Sequence, residues 1–274
     1  MPMTPRPVVR LLALALAVLT VTACTKTSPG ETLPNGVKLV SKGVLTACTH
    51  LPAPPFESKD STGKFIGFDM DLVDLIAKKL NLRSTFIDTP FEGIRSGSDL
   101  RTGKCDLAAT GITITPERRA ALDFSVPYFD DAQGLLVKAG TPYQKIGDLH
   151  GKKVGAQSGT TGLDYAKAHT KAGGYTVVEY QDIATLQQAL ATGQIDGAVA
   201  DLSVWTDFVK HTPGYRVAST FTTGEQYGIA LAKGVNPRLL SVVNEVITGA
   251  KHDGAYAAIY QKWIGTQAPA SAQN

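Results

Sequence analysis

The chain has 274 residues, 43% hydrophobic, 19% charged and 7% aromatic. Against a prior of ~150 residues per domain this fits two domains or one large one, and it excludes a wholly disordered or collagen-like chain. Net charge is +3; without residues 1–23, which carry two arginines and no acid, 25 basic residues face 24 acidic ones, giving no electrostatic reason to expect a nucleic-acid partner.

Arg6 and Arg10 precede an apolar run from Leu11 to Thr22. The run is too short to cross a bilayer, which takes ~20 residues. A basic stretch followed by a short apolar core instead predicts a signal peptide over residues 1–23. The run ends Leu19-Thr20-Val21-Thr22-Ala23-Cys24, which resembles a bacterial lipobox. That resemblance implies cleavage before Cys24, lipid on its thiol and amine, and anchoring to the outer face of the cell membrane. The alternative is an ordinary signal peptide with Cys24 incidental. Residues 24–35, rich in Thr, Ser, Pro and Gly, read as a tether, and residues 267–274 as a disordered tail.

The elements then follow in order. Val44–Cys48 is a short apolar strand, and a Pro-rich loop runs from His50 to Phe56. Asp69 is expected to cap a helix with Leu72, Leu75, Ile76 and Leu80 on one face. Asp106–Thr110 reads as a buried strand, and Thr115-Pro116 as an N-cap and N1 proline opening a short helix. After Gly151 the pattern restarts, with strands at 153–157, 175–180 and 195–200 and helices at 163–169 and 183–192. Asn236-Pro237 opens a final helical region. Strands alternating with helices argue for α/β layers with parallel sheets, whose ligands sit at the carboxyl ends of strands. Cys48 near one strand's end and Cys105 near another's start would lie several rungs apart on parallel neighbours, so free buried thiols are expected. No CxxC or HExxH motif occurs, and neither a metal nor a cofactor is expected.

Three strand ends carry usable chemistry. Thr113 offers a hydroxyl and Arg118 a planar fork of donors suited to a carboxylate. Ser158–Gly162 is a Gly-rich loop at a helix N-terminus, where free N–H groups favour an anion. Asp201 could pair with an ammonium group. Together they are complementary to an α-amino acid zwitterion, although singly each is commoner as a surface arginine, a plain turn or a helix cap.

Gly67-Phe68-Asp69-Met70-Asp71-Leu72, Gly103-Lys104-Cys105-Asp106, the run Gly111–Arg118, Asp123–Tyr128, Gln157–Thr161, Gln226–Ala230 and Tyr260–Gly265 resemble the family 3 extracellular solute-binding proteins of bacterial polar amino acid ABC importers, the glutamine-binding members above all. The resemblance implies a two-lobed periplasmic-binding-protein-like fold of type II, lobe 1 at 36–128 and 228–266, lobe 2 at 133–223, and hinge strands at 129–132 and 224–227. It implies that Arg118 forks the ligand α-carboxylate, helped by the N–H of Thr161, and that Gly111 and Thr113 hold the α-ammonium and carboxylate. Asp201 would pair the ammonium, Phe91 would form an aromatic wall, and His50 and Gln157 would face the side chain.

One departure is Ala53, where the family usually has an aromatic stacking opposite the Phe91 position; the pocket is either wider there or filled by Phe56 or a lobe 2 residue. With His50 and Gln157 where a charged ligand would want an acid or a base, a neutral polar side chain is favoured. The implied partners are a membrane permease and a small amino acid, bound by a monomer. Two other classes share the fold. One is an amino acid-sensing receptor module; the other is a cyclohexadienyl-dehydratase-like enzyme, for which His50, Asp201 and Glu57 would be the candidate acids and bases.

Overall fold

The computed structural model describes residues 1–3 and 30–270; the rest of the expected signal peptide, Cys24 and the last four residues lie outside the described residues. Two five-stranded mixed sheets, each covered by helices, form two lobes. In the first sheet the spatial order is Arg83–Asp88, Val44–Thr49, Leu107–Ala108, Ala230–Ala232, Leu122–Phe124. The first three strands run parallel, and the last two add antiparallel pairs. In the second sheet the order is Thr176–Tyr180, Lys153–Gln157, Gly197–Asp201, Phe129–Lys138, Tyr215–Tyr227. Again the first three are parallel and the last two antiparallel.

The chain passes from one sheet to the other twice. It leaves the first sheet after Phe124 and enters Phe129–Lys138; it returns from Tyr215–Tyr227 into Ala230–Ala232. The two long strands pair at Phe129↔Tyr227, Asp130↔Gln226 and Asp131↔Glu225, then lose register before Gln133↔Phe221. The crossing is packed with aromatics. Phe56, buried to 1% exposure, sits edge-on to Phe129 at 4.9 Å and to Tyr227 at 5.1 Å between centroids.

Local signals explain most elements. Thr115 Oγ1 accepts from the Arg118 N–H at 3.1 Å and caps Pro116–Arg119. Asn236 likewise caps Pro237–Asp253 through the Leu239 N–H. In the helix Phe68–Lys79, Leu72 and Ile76 are fully buried and Leu75 is partly buried against the same core.

Three expectations are corrected. Asp69 does not cap its helix. Gly67 holds the cap position at φ 145°, with the Phe56 carbonyl so close that a Cβ there would lie 1.9 Å from its oxygen. The Pro55 and Phe56 carbonyls take the first helical N–H groups, and Asp69 is free to turn inward with 0% exposure. Cys48 and Cys105 are not free thiols but a disulfide, with Cα atoms 5.7 Å apart. The strand begins only at Leu107, after a bend at Asp106, so Cys105 is not a rung of the ladder and counting rungs misplaces it. Finally, Glu31 and Thr32, read as tether, pair antiparallel with Lys38 and Leu39, and Ala268, read as disordered tail, is buried against the core.

Asp69 has a consequence for pH. Burial pushes its carboxyl up to about 7, opposed by bonds from the Gly111 N–H and the Tyr128 hydroxyl. Burial also pushes Asp106 up to about 6. A carboxyl with a raised folded pKa keeps its proton where the unfolded chain, near 3.9, has lost it, so its stability contribution is full below about pH 4 and is lost as pH rises toward the folded value. We therefore expect the melting temperature to fall between pH 5 and pH 7.5, with a slope of up to ~1.4 kcal/mol per pH unit per group. Asp69→Asn should flatten that slope. Melting curves that rise with pH across this window would contradict the assignment.

Candidate functional site

A cleft between the lobes, at the carboxyl ends of Val44–Thr49, Lys153–Gln157 and Gly197–Asp201, gathers all eight expected ligand residues. His50, Phe91, Gly111, Thr113, Arg118, Gln157, Thr161 and Asp201 all line it. Pro52 and Ala53, with Ile183 and Val204 from the second lobe, are the other apolar residues of the lining besides Phe91 and Ala200. Phe56 does not fill the place of the absent aromatic, being held in the core.

Arg118 is buried to 6% exposure at the end of its short capped helix. Its Nη1 donates to the Thr113 carbonyl at 2.7 Å, and its Nη2 crosses the cleft to the Gly159 carbonyl at 3.1 Å. The guanidinium stacks at 5.3 Å over Phe91. Burial lowers its pKa, while the fields of Asp201 and Glu225 hold the charge in place. The Gly-rich turn is capped by Thr160, whose Oγ1 accepts from the Leu163 N–H, so the helix Thr161–Ala168 begins with the Thr161 N–H aimed out of the helix.

Asp201 ends its strand and precedes the helix Leu202–His211, yet makes no capping bond. It accepts instead from Gln133 Nε2 and the Tyr227 hydroxyl, both on the crossing strands. Burial pushes its carboxyl up to about 8, and nearby Asp131 and Glu225 add to the effect. Burial raises Asp131 as well. A cation brought beside these acids would relieve both the repulsion and the desolvation.

Sequence reasoning missed three of the groups that build this cleft. Glu225 Oε2 accepts from Thr113 Oγ1 at 3.0 Å and Thr161 Oγ1 at 2.8 Å, tying hydroxyls from the two lobes to one carboxylate. Gln133 Nε2 donates to Glu225 and Asp201 together. Glu57, weighed only as an acid for turnover, is 1% exposed and lines the cleft. Its Oε1 accepts from Thr110 Oγ1 at 2.8 Å, and burial, with Asp69 beside it, raises its pKa well above the usual carboxylate range. Gln133 and Glu225 carry no local motif; only the pairing of two strands 92 residues apart in sequence brings them together.

Comparison with known families matches residues 45–266 to the bacterial extracellular solute-binding proteins, family 3. The chain belongs to this family. It is 32% identical over 221 residues to a putative ABC transporter arginine-binding protein 2 of Escherichia coli K12, covering 79% of this chain and 88% of that one. It is 33% identical over 208 residues to the ABC transporter glutamine-binding protein GlnH of Bacillus subtilis 168, covering 74% of each. Among solved structures, an ancestral arginine-binding protein bound to arginine superposes with a TM-score of 0.76 at 40% identity, covering 81% of this chain and 98% of that one. This family 3 chain therefore has the two-lobed type II binding-protein fold that the resemblance implied.

Proposed function

We propose that this family 3 protein is the extracytoplasmic capture component of an ABC importer for polar amino acids, and that it binds without turnover. The observation that carries the proposal is Arg118, buried between the lobes and facing Asp201 from the opposite lobe. A fixed cation and a fixed acid across one narrow cleft match the two ends of an α-amino acid.

In this reading the α-carboxylate docks on the Arg118 fork and the Thr161 N–H, and the α-ammonium lies between Asp201 and the Gly111 carbonyl, with Thr113 at the side. Phe91 covers the ligand, while His50 and Gln157 face its side chain. Closure removes water, so each charge pair strengthens as the local dielectric falls. The ligand shifts the lobes toward closure only by what it gains from the second lobe, which supplies Thr161 and Asp201. The lobes are assigned to 36–128 with 228–266 and to 133–223, and the closed form would dock on a membrane permease as a monomer. Lipid on Cys24 would anchor it outside the cell membrane, supported by the sequence ending Val21-Thr22-Ala23-Cys24.

A thermal-shift screen against the twenty amino acids tests the proposal. At a hundredfold excess over Kd, a true ligand stabilises the native state by ~2.7 kcal/mol. At least one polar amino acid should raise the midpoint by several degrees. A flat response to all twenty would sink it.

A further inference from the structure

We infer that the captured amino acid carries a positively charged, N–H-bearing side chain, and that Glu57 and His50 accept hydrogen bonds from it. This deepens the amino-acid reading and depends on it.

The reasoning is an inventory of donors and acceptors. The hydroxyl donors bordering the cleft, and the amide of Gln133 behind it, are already spent inside the protein. Thr110 donates to Glu57, Thr113 and Thr161 donate to Glu225, and Gln133 Nε2 donates to Asp201 and Glu225. What remains to donate is Arg118 and the N–H groups opening the helix Thr161–Ala168, which together suffice for one α-carboxylate. For a second anionic group on the ligand the lining adds only the second N–H of Gln157 Nε2, which brings no charge.

The acceptors show the opposite balance. Glu57 Oε2 is buried and has no partner, and the same holds for His50 Nε2. His50 Nδ1 lies 2.9 Å from the Thr89 carbonyl, which can only accept. Nδ1 therefore carries the proton of the singly protonated ring, and Nε2 is left as an acceptor. Gln157 Nε2 gives one of its two N–H groups to the Gln181 carbonyl at 3.2 Å. Buried acceptors without donors are costly, and a buried acid without a cation is more so. With Asp201 engaged by the α-ammonium, Glu57, which burial keeps protonated while it stands alone, can ionise when a positive group docks against its unpartnered Oε2. A guanidinium or ammonium side chain supplies that group, lying between the apolar faces of Phe91 and Val204. A side-chain carboxylate would be set against Glu57.

The closing experiment is calorimetry on the folded protein with L-arginine, L-lysine, L-histidine, L-glutamine and L-glutamate, repeated on Glu57→Gln. We expect at least one of the three basic amino acids to bind at least tenfold tighter than glutamine, and glutamate to bind weakest of all. Glu57→Gln should lower the affinity for that basic amino acid at least tenfold more than the affinity for glutamine. Should the variant fold poorly, the ranking of the five ligands on the unaltered protein decides alone. Glutamine or glutamate binding tighter than every basic amino acid would overturn the inference while leaving the amino-acid reading standing. An equal loss for all ligands in the variant would also overturn it, placing Glu57 against the α-ammonium. Binding of none of the five would overturn the inference together with the reading beneath it.

Discussion

Replacing Arg118 or Asp201 by alanine is expected to abolish micromolar binding of amino acids. Each residue faces the cleft from a different lobe and each would meet one charged end of the ligand. Micromolar binding corresponds to about −8 kcal/mol. Removing one partner of a buried, hydrogen-bonded charge pair costs ~2–5 kcal/mol, mostly because the other charge stays buried and unpaired. In affinity this is a loss of about thirtyfold to several thousandfold. Arg118 also holds the Thr113 and Gly159 carbonyls, so its variant needs a melting curve alongside the calorimetry. Asp201→Asn is the milder companion, since an amide oxygen can still accept from Tyr227 while the charge is gone. Variants within about threefold of the parent, a difference under ~1 kcal/mol, would contradict the clamp.

The second large effect concerns stability. The Cys48–Cys105 bond closes a sequence separation of 57 residues. Chain-entropy arithmetic for a loop of that length gives about 4 kcal/mol, before any change in native packing. Both cysteines are buried, at 0% and 2% exposure, among Phe91, Ile94 and Leu100. The bond thus fastens the end of the strand Val44–Thr49, which hands over directly to His50, to the turn that precedes Leu107–Ala108. The double variant Cys48→Ala/Cys105→Ala is expected to lose stability of that order in chemical denaturation. In the denatured parent, without reductant, neither cysteine should react with an alkylating reagent. Full alkylation of both, or a double variant as stable as its parent, would contradict the bond.

The parts of the site legible in the sequence were those written in local chemistry. Thr115-Pro116 fixes a helix start and thereby aims Arg118; the run Ser158–Gly162 fixes another and frees its N–H groups. Strand alternation gave α/β layers with a restart after Gly151, and the resemblance to the family supplied the two lobes. What was not legible depends on contacts distant in sequence. An aspartate two residues after a glycine reads as a cap unless the backbone approach of Phe56 to Gly67 is known, and only the fold turns Asp69 toward Gly111 and Tyr128. The disulfide depends on a bend at Asp106 that takes Cys105 off the strand. Glu225 and Gln133 matter because two crossing strands pair, and neither strand announces its partner. Glu57 follows a loop of prolines and carries a charge usually found on surfaces, so its burial had to be seen rather than read.

The most direct test of the central claim is a crystal structure with the tightest-binding amino acid present. The α-carboxylate is expected on the Arg118 guanidinium and the Thr161 N–H, at N···O separations of ~2.7–3.0 Å, with the α-ammonium on Asp201. A ligand seated in the cleft with Arg118 and Asp201 both turned away from it, or a ligand bound elsewhere, would contradict that claim.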